Sequence, residues 1–92
     1  MYATVRRYKN AGALAAAMSS KSDDVKKLIT AVPGFVSYSA AREGDTVTTV
    51  SIYKDKAGCE ESTRRAGEWV GQNVKPGVEA PEVSGGDVFL NF

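Results

Sequence analysis

Residues 33–54 read PGFVSYSAAREGDTVTTVSIYK and predict a β-hairpin. β-branched and aromatic residues dominate both halves, and such side chains favour pleated strands. Between the halves lies Glu43-Gly44-Asp45, where Gly44 can adopt the positive φ of a tight turn. Pro33 disfavours helical geometry at Val32, so the hairpin should begin where a preceding helix ends.

The alternation of residues in this hairpin predicts a sheet covered on both faces. In the first strand, strict alternation places Phe35 on the face of Ser37 and opposite Tyr38. The second strand has apolar residues on both faces, with Thr48, Val50 and Ile52 on one and Val47, Thr49, Ser51 and Tyr53 on the other. An antiparallel sheet with one solvated face should alternate apolar and polar residues more strictly.

The residues before the hairpin predict one strand and one helical region. Residues 2–8 are rich in β-formers and lead into a turn at 10–12. Apolar side chains then recur near helical spacing, at Leu14, Met18, Val25, Leu28, Ile29 and Val32. The helix either continues through residues 19–22 or breaks there, because Ser22 followed by two acidic residues resembles a helix cap.

The residues after the hairpin predict a second helix and a closing strand. Asp55 is a suitable N-cap for a helix from about residue 56 to 74, which Pro76-Gly77 should end. Residues 81–86 contain Pro and Gly and predict an irregular connection, and residues 87–92 predict a short strand. The order βαββαβ is that of the ferredoxin-like α+β sandwich, a four-stranded antiparallel sheet with both helices on one side.

Length and composition indicate one small domain, residues 1–92, without a strong charge. The chain has 12 Lys plus Arg and 11 Asp plus Glu, a formal net charge of +1, which attracts neither nucleic acid nor anionic membranes. One cysteine forms no intrachain disulfide, and the N-terminal residues lack the apolar run of a signal peptide. We therefore expect a cytoplasmic protein. Since the helices cover one face of the sheet, we expect a second copy to cover the other, giving a homodimer.

Several segments resemble the dimeric α+β barrel superfamily, and within it the small antibiotic-biosynthesis-monooxygenase (ABM)-like domains. They are PGFVSY, the strand end IYKD, Trp69-Val70 and Asn73-Val74 on the second helix, and the final PEVSGGDVFLNF. The resemblance implies two sheets packed face to face and a ligand cavity between each sheet and its helices. Some members of the superfamily oxygenate aromatic polyketides without a cofactor, others degrade haem, and many have no known activity.

The second helix carries four candidate ligand-binding residues. In the cofactor-independent oxygenases that the chain resembles, a tryptophan on this helix faces the cavity, and Trp69 matches it. Asn73 lies one turn later, and Cys59 and Thr63 follow the same helical spacing. The polar side chains of this face either line a pocket that contains water or form hydrogen bonds with the backbone of their own helix. We prefer the second alternative for the hydroxyls, and we expect Trp69 to pack in the core between helix and sheet.

Tyr38, Tyr53 and Arg7 complete the set of candidates. A phenol can donate a hydrogen bond to a bound carbonyl. Tyrosines also pack in strands and at dimer interfaces, and we prefer this packing role for Tyr38 and Tyr53. Arg6, Arg7 and Arg42 can clamp an anionic ligand through the planar fork of the guanidinium. Alternatively, at least one of them forms a salt bridge across the dimer, which is the interpretation we prefer.

Gly58, Gly67 and Gly71 interrupt the second helix, and each costs it about 1 kcal/mol relative to alanine. We therefore expect another backbone to approach this helix closely, either that of the first helix or that of the closing strand of a partner.

The sequence lacks the residues of several known chemistries. It has no histidine to hold haem iron, no Cys-x-x-Cys metal chelate and no phosphate-binding loop. We therefore expect no metal or cofactor. The favoured hypothesis is a homodimeric module that binds a small, aromatic ligand or forms part of a larger assembly, without a complete catalytic set. The alternative is a cofactor-independent monooxygenase that acts on an electron-rich aromatic substrate.

Overall fold

The structure is a computed structural model that describes residues 1–74 and 78–92. Its elements are β1 (Tyr2–Tyr8), α1 (Gly12–Ser20), α2 (Ser22–Thr30), β2 (Phe35–Glu43), β3 (Thr46–Tyr53), α3 (Lys56–Asn73) and β4 (Glu82–Asp87). The strands form one antiparallel sheet in the order β2-β3-β1-β4, with the helices on one side. This confirms the predicted α+β class and ferredoxin-like fold. The predicted helix end at Pro76-Gly77 lies outside the described residues.

The central hairpin forms where it was predicted. β2 and β3 pair as far as Glu43 and Thr46, and Gly44 turns the chain with a φ of 58°. One detail of the alternation was wrong. An irregularity between Phe35 and Ser37 inserts an extra residue, so Phe35 pairs with Tyr53 on the helix side. The two rings meet edge to face, with centroids 5.7 Å apart.

The helical region before the hairpin is broken. α1 ends at Ser20 and α2 begins at Ser22, with Lys21 between them in a non-helical conformation. Asp23 and Asp24 occupy the first turn of α2, where their negative charges interact favourably with the positive end of the helix dipole. The break settles the alternative that the sequence left open.

α3 begins as predicted and packs closely on the sheet at one end. The Asp55 carboxylate accepts a hydrogen bond from the Gly58 backbone N–H at 2.9 Å. A Cβ atom at Gly58 would lie 3.0 Å from the Tyr53 Cβ, which confirms a close approach there. At Gly67 and Gly71 a Cβ would meet no heavy atom of the described chain within 4 Å, so the first helix does not approach them closely. The alternative, the closing strand of a partner, stays a prediction.

The closing strand lies earlier than predicted. β4 spans Glu82–Asp87 and pairs with β1, whereas residues 88–92 form no strand. The sequence prediction took the glycines for a connection. In the sheet, a Cβ at Gly85 would lie only 2.7 Å from the Ala3 carbonyl oxygen, so glycine is what allows β4 to approach β1.

The two faces of the sheet differ in what covers them. The covered face packs against the helices in two apolar clusters, one around Tyr8, Leu14 and Val47 and the other around Ile29, Val32 and Tyr53. The opposite face, called here the helix-free face, carries Ala3, Val5, Arg7, Ser37, Ser39, Ala41, Thr48, Val50 and Ile52. No described helix is long and apolar enough to cross a membrane.

Candidate functional site

Polar side chains interrupt the core on the covered face. Arg6 and Thr49 pair directly across β1 and β3, and only 1% and 2% of their surfaces are exposed. Thr4 and Ser51 form the next pair on the same face and are also buried. Polar groups at such positions destabilise a fold unless they find hydrogen-bond partners.

Arg6 has too few partners for a buried guanidinium. Its Nη1 donates a hydrogen bond to Thr63 Oγ1 at 2.9 Å, while its Nε has no hydrogen-bond partner in the described chain. The hydroxyls of Thr49 and Ser51 likewise have no partner there. None of the four ion pairs among the described residues includes Arg6. Its positive charge is therefore buried without an ion-pair partner among the described residues.

A small cavity of about 20 Å³ adjoins this cluster and has room for about one water. Arg6 and Thr49 line it together with Tyr38, Trp69 and apolar residues of α1 and α2. Burial raises the pKa of Tyr38, and the positive charge of Arg6 offsets part of that rise. The Tyr38 phenol is therefore neutral near pH 7 and can donate a hydrogen bond into the cavity.

A wider opening leads to this cavity from the surface. It is called here the α2–β2 groove, has a volume of about 510 Å³, and is lined mainly by Met18, Val25, Lys26, Ile29, Phe35, Tyr38 and Ala40. Its walls are largely apolar. Met18, Val25, Ile29 and Tyr38 line both the groove and the cavity, so the two spaces adjoin.

A second groove reaches Arg6 from the other side of α3. This α3–β4 groove has a volume of about 470 Å³ and is lined by residues that include Arg6, Thr63, Gly67, Gly71, Glu79 and Val83. Because Gly67 and Gly71 have no side chains, this side of α3 leaves space beside β4. Arg6 thus lies between two grooves on the covered face.

Three of the predicted ligand-binding residues lie at these spaces. Tyr38 and Trp69 line the small cavity, and Thr63 lines the α3–β4 groove. Asn73 does not line any of the three spaces. Its Nδ2 donates to the Trp69 carbonyl at 2.9 Å, and its Oδ1 accepts from Lys21 Nζ at 2.7 Å, which ties the end of α3 to the α1–α2 break.

The other three candidates have different surroundings. Tyr53 is fully buried, its hydroxyl donates to the Ile29 carbonyl at 2.6 Å, and burial raises its pKa. Cys59 is buried, and its Sγ donates to the Tyr2 carbonyl at 3.2 Å. Arg7 is exposed on the helix-free face. Tyr53 and Cys59 therefore hold the helices to the sheet, and Arg7 lies away from both grooves.

Sequence reasoning gave no priority to Arg6 and did not name Thr49 as a site residue. A signal for Arg6 was present, because alternation in β1 places Thr4, Arg6 and Tyr8 on one face. What the sequence did not contain was the side of the sheet on which the helices pack.

No family model and no curated protein sequence matches the chain. Its structure is similar to SnoaB, a cofactor-independent oxygenase from Streptomyces nogalater, with a TM-score of 0.68 and 15% identity over 98% of this chain and 94% of SnoaB. A candidate antibiotic biosynthesis monooxygenase from Bordetella bronchiseptica has a TM-score of 0.71 and 13% identity, over 97% of each chain.

A protein of unknown function from Nitrosomonas europaea has a TM-score of 0.70 and 14% identity, over 99% of this chain and 91% of that one. Identities this low establish the fold and nothing finer. The resemblance drawn from the sequence is confirmed at that level: this chain has the ferredoxin-like fold of the antibiotic-biosynthesis-monooxygenase proteins.

Proposed function

We propose that this protein is a homodimeric α+β barrel protein that binds a small aromatic ligand between its sheet and its helices. One observation carries the proposal: the apolar α2–β2 groove adjoins a small cavity lined by Arg6 and Thr49, whose buried Nε and Oγ1 have no hydrogen-bond partner in the described chain. Ligand pockets in proteins typically combine apolar walls with a few convergent polar groups. A ligand with an oxygen acceptor would satisfy Arg6 Nε.

The lining of the groove favours a ligand with an apolar ring. Val25 and Ile29 of α2 and Phe35 and Tyr38 of β2 all line it. An aromatic ring between these side chains would bury its apolar faces, and an oxygen at its inner end would point towards Arg6. The neutral phenol of Tyr38 can donate a second hydrogen bond to that oxygen.

The residues that line this site favour binding over catalysis. The described lining of the cavity and the α2–β2 groove contains no carboxylate and no thiol. Burial raises the pKa of Tyr38, so its phenol does not ionise near pH 7 and is a poor proton acceptor. A bound ligand would therefore meet donors and apolar surface but no efficient general base.

Blocking the α2–β2 groove tests the proposal. Titration calorimetry with a panel of naphthols, naphthoates and hydroxyanthraquinones should identify ligands, and Val25→Trp should weaken their binding at least about tenfold by filling the groove. Val36→Trp is the matched control, because Val36 is an exposed valine of β2 outside the groove lining. Failure of the whole panel to bind, or equal affinity in Val25→Trp, would contradict the proposal.

The dimer rests on the helix-free face. Val5, Val50 and Ile52 present apolar surface there, and 37% of Val50 is exposed in the single chain. A second copy would bury this face. Sedimentation velocity at micromolar concentration should show a dimer, and Val50→Lys should give a monomer. Val83→Lys changes an exposed valine on the other face of β4 and should leave the dimer intact. A compact wild-type monomer would refute this part of the proposal.

A second candidate function is cofactor-independent monooxygenation of an electron-rich aromatic substrate. It is supported by the position of Trp69, which lines the same cavity as Tyr38, and by the fold shared with SnoaB. In such a reaction the anion of the substrate reacts with oxygen directly. Oxygen uptake with hydroxylated aromatics should then be lost in Trp69→Phe. No uptake with any compound that the protein binds would leave binding as the function.

A further inference from the structure

The buried charge of Arg6 is the least explained feature of the covered face. Its Nη1 donates a hydrogen bond to the neutral hydroxyl of Thr63, and the neutral phenol of Tyr38 lies near enough to interact with the guanidinium. Its Nε has no hydrogen-bond partner in the described chain. Ion pairs of the described chain lie elsewhere and involve Lys9, Arg64 and Arg65. Residues 75–77 are Lys-Pro-Gly and contribute no carboxylate side chain.

A buried guanidinium keeps its charge, because arginine does not deprotonate in proteins. Burying a charge without a counter-charge is strongly unfavourable, and proteins normally meet that cost with a carboxylate and further hydrogen bonds. No described carboxylate forms an ion pair with Arg6. Glu79 lines the α3–β4 groove together with Arg6 but accepts a hydrogen bond from Asn10 instead. A bound anion would supply the missing counter-charge.

A partner subunit is poorly placed to supply it. The predicted dimer would bury the helix-free face, whereas Arg6 points to the covered face, beneath α3. A salt bridge across the dimer is open to Arg7, which is exposed on the helix-free face. Arg6 adjoins two spaces, the α3–β4 groove, which Glu79 also lines, and the small cavity, whose described lining has no carboxylate. The small cavity adjoins the α2–β2 groove and is the better site for an anion.

We infer that the ligand is an aromatic oxyanion, held with its charged oxygen against Arg6 Nε and Thr49 Oγ1 and its ring in the α2–β2 groove. This inference rests on the proposed function and adds the charge of the ligand to it. A cavity of about 20 Å³ accepts one oxygen atom, as it would one water. Lys26 at the groove adds a second positive charge along the path of entry. A carboxylate and a phenolate share this chemistry.

The carboxylate arm of the test compares 2-naphthoate with 2-naphthamide, which has a similar shape but no charge. In titration calorimetry the wild-type protein should bind the naphthoate about 10- to 100-fold more tightly, the range expected for hydrogen bonds to charged groups. Arg6→Gln should abolish the difference, and Arg7→Gln should preserve it. If Arg6→Gln does not fold, the affinities of the wild-type protein for naphthoate and naphthamide still show whether the ligand is charged.

The phenolate arm uses 4-nitrophenol, whose anion absorbs visible light. On binding, its apparent pKa should fall by about one unit or more, since Arg6 favours the anion. A preference for naphthoate without a fall in this pKa assigns the ligand to the carboxylates, and the converse assigns it to the phenolates.

The outcomes separate the inference from the proposed function. If the naphthamide binds as tightly as the naphthoate and the pKa of bound nitrophenol is unchanged, the ligand is neutral. That result would overturn the inference and leave the proposed function standing. If none of the three probes nor any compound of the aromatic panel binds, both fail together.

Discussion

Two pairs of neighbouring residues show how differently the two faces of the sheet treat the same side chain. Arg6 is 1% exposed and hydrogen-bonds to the neutral hydroxyl of Thr63, whereas Arg7, the next residue of β1, is exposed. Thr49 is 2% exposed, and its hydroxyl has no hydrogen-bond partner in the described chain, while Thr48 beside it lies on the helix-free face. The residue types are identical, so the surroundings alone decide which side chain can carry chemistry.

The largest expected effect comes from placing a charge on each face of β3. Val47 is buried on the covered face and Val50 is partly exposed on the other. We expect Val47→Lys to cost about 4 kcal/mol or more and to prevent folding, because the ammonium would be buried without a partner. Val50→Lys should fold as the wild type does. Circular dichroism and urea unfolding check both variants, and a folded Val47→Lys would break the comparison.

The next effect separates two tyrosines of the covered face. Tyr53→Phe should lower the free energy of unfolding by about 0.5–1.5 kcal/mol, since it removes the buried hydrogen bond from the phenol to the Ile29 carbonyl. Tyr38→Phe should change stability by less than about 0.5 kcal/mol and instead weaken ligand binding. Thermal unfolding and calorimetry measure the two quantities. Equal destabilisation by both changes would mean that Tyr38 also holds the fold.

Removing each arginine charge sharpens the comparison further. In the absence of ligand, we expect Arg6→Met to leave stability unchanged or raise it by about 1 kcal/mol, because the change removes a buried charge that lacks a counter-charge. Arg7→Met should alter stability by less than about 0.5 kcal/mol. Urea unfolding of the ligand-free wild type and both variants measures these changes in the free energy of unfolding. A loss of several kcal/mol in Arg6→Met would show that the protein itself neutralises this guanidinium.

The smallest effect is a pH dependence. Burial raises the pKa of Tyr38 and Tyr53 above the ordinary 10.0, so the unfolded chain loses these protons first. The stability that they contribute is complete below pH 10 and is lost as pH rises through the folded pKa values. Unfolding free energies measured from pH 8 to about 11 should fall, and less steeply in Tyr38→Phe. A flat profile in the wild type would contradict the burial of both phenols.

Local sequence signals predicted most of the fold. The turn at Gly44, the cap at Asp55 and the element order all follow from short-range preferences. Two features depend on contacts between distant segments and were missed. Gly85 belongs to a strand because β1 lies too close for a side chain there, and Phe35 changes face because one extra residue enters β2.

The candidate site was predicted less well, for a related reason. Alternation groups residues by face, but it does not say which face the helices cover. Tyr38, Trp69 and Thr63 lie at the cavity or a groove, while Arg7 was chosen over Arg6 although the two differ only in direction. Whether any of these residues binds a ligand stays a prediction.

A crystal structure of the protein with 2-naphthoate would test the central claim most directly. We expect the ring between α2 and β2, against Val25 and Tyr38, with one carboxylate oxygen within about 3 Å of Arg6 Nε. The claim would be contradicted if the naphthoate bound elsewhere, or if the space beside Arg6 held only protein side chains.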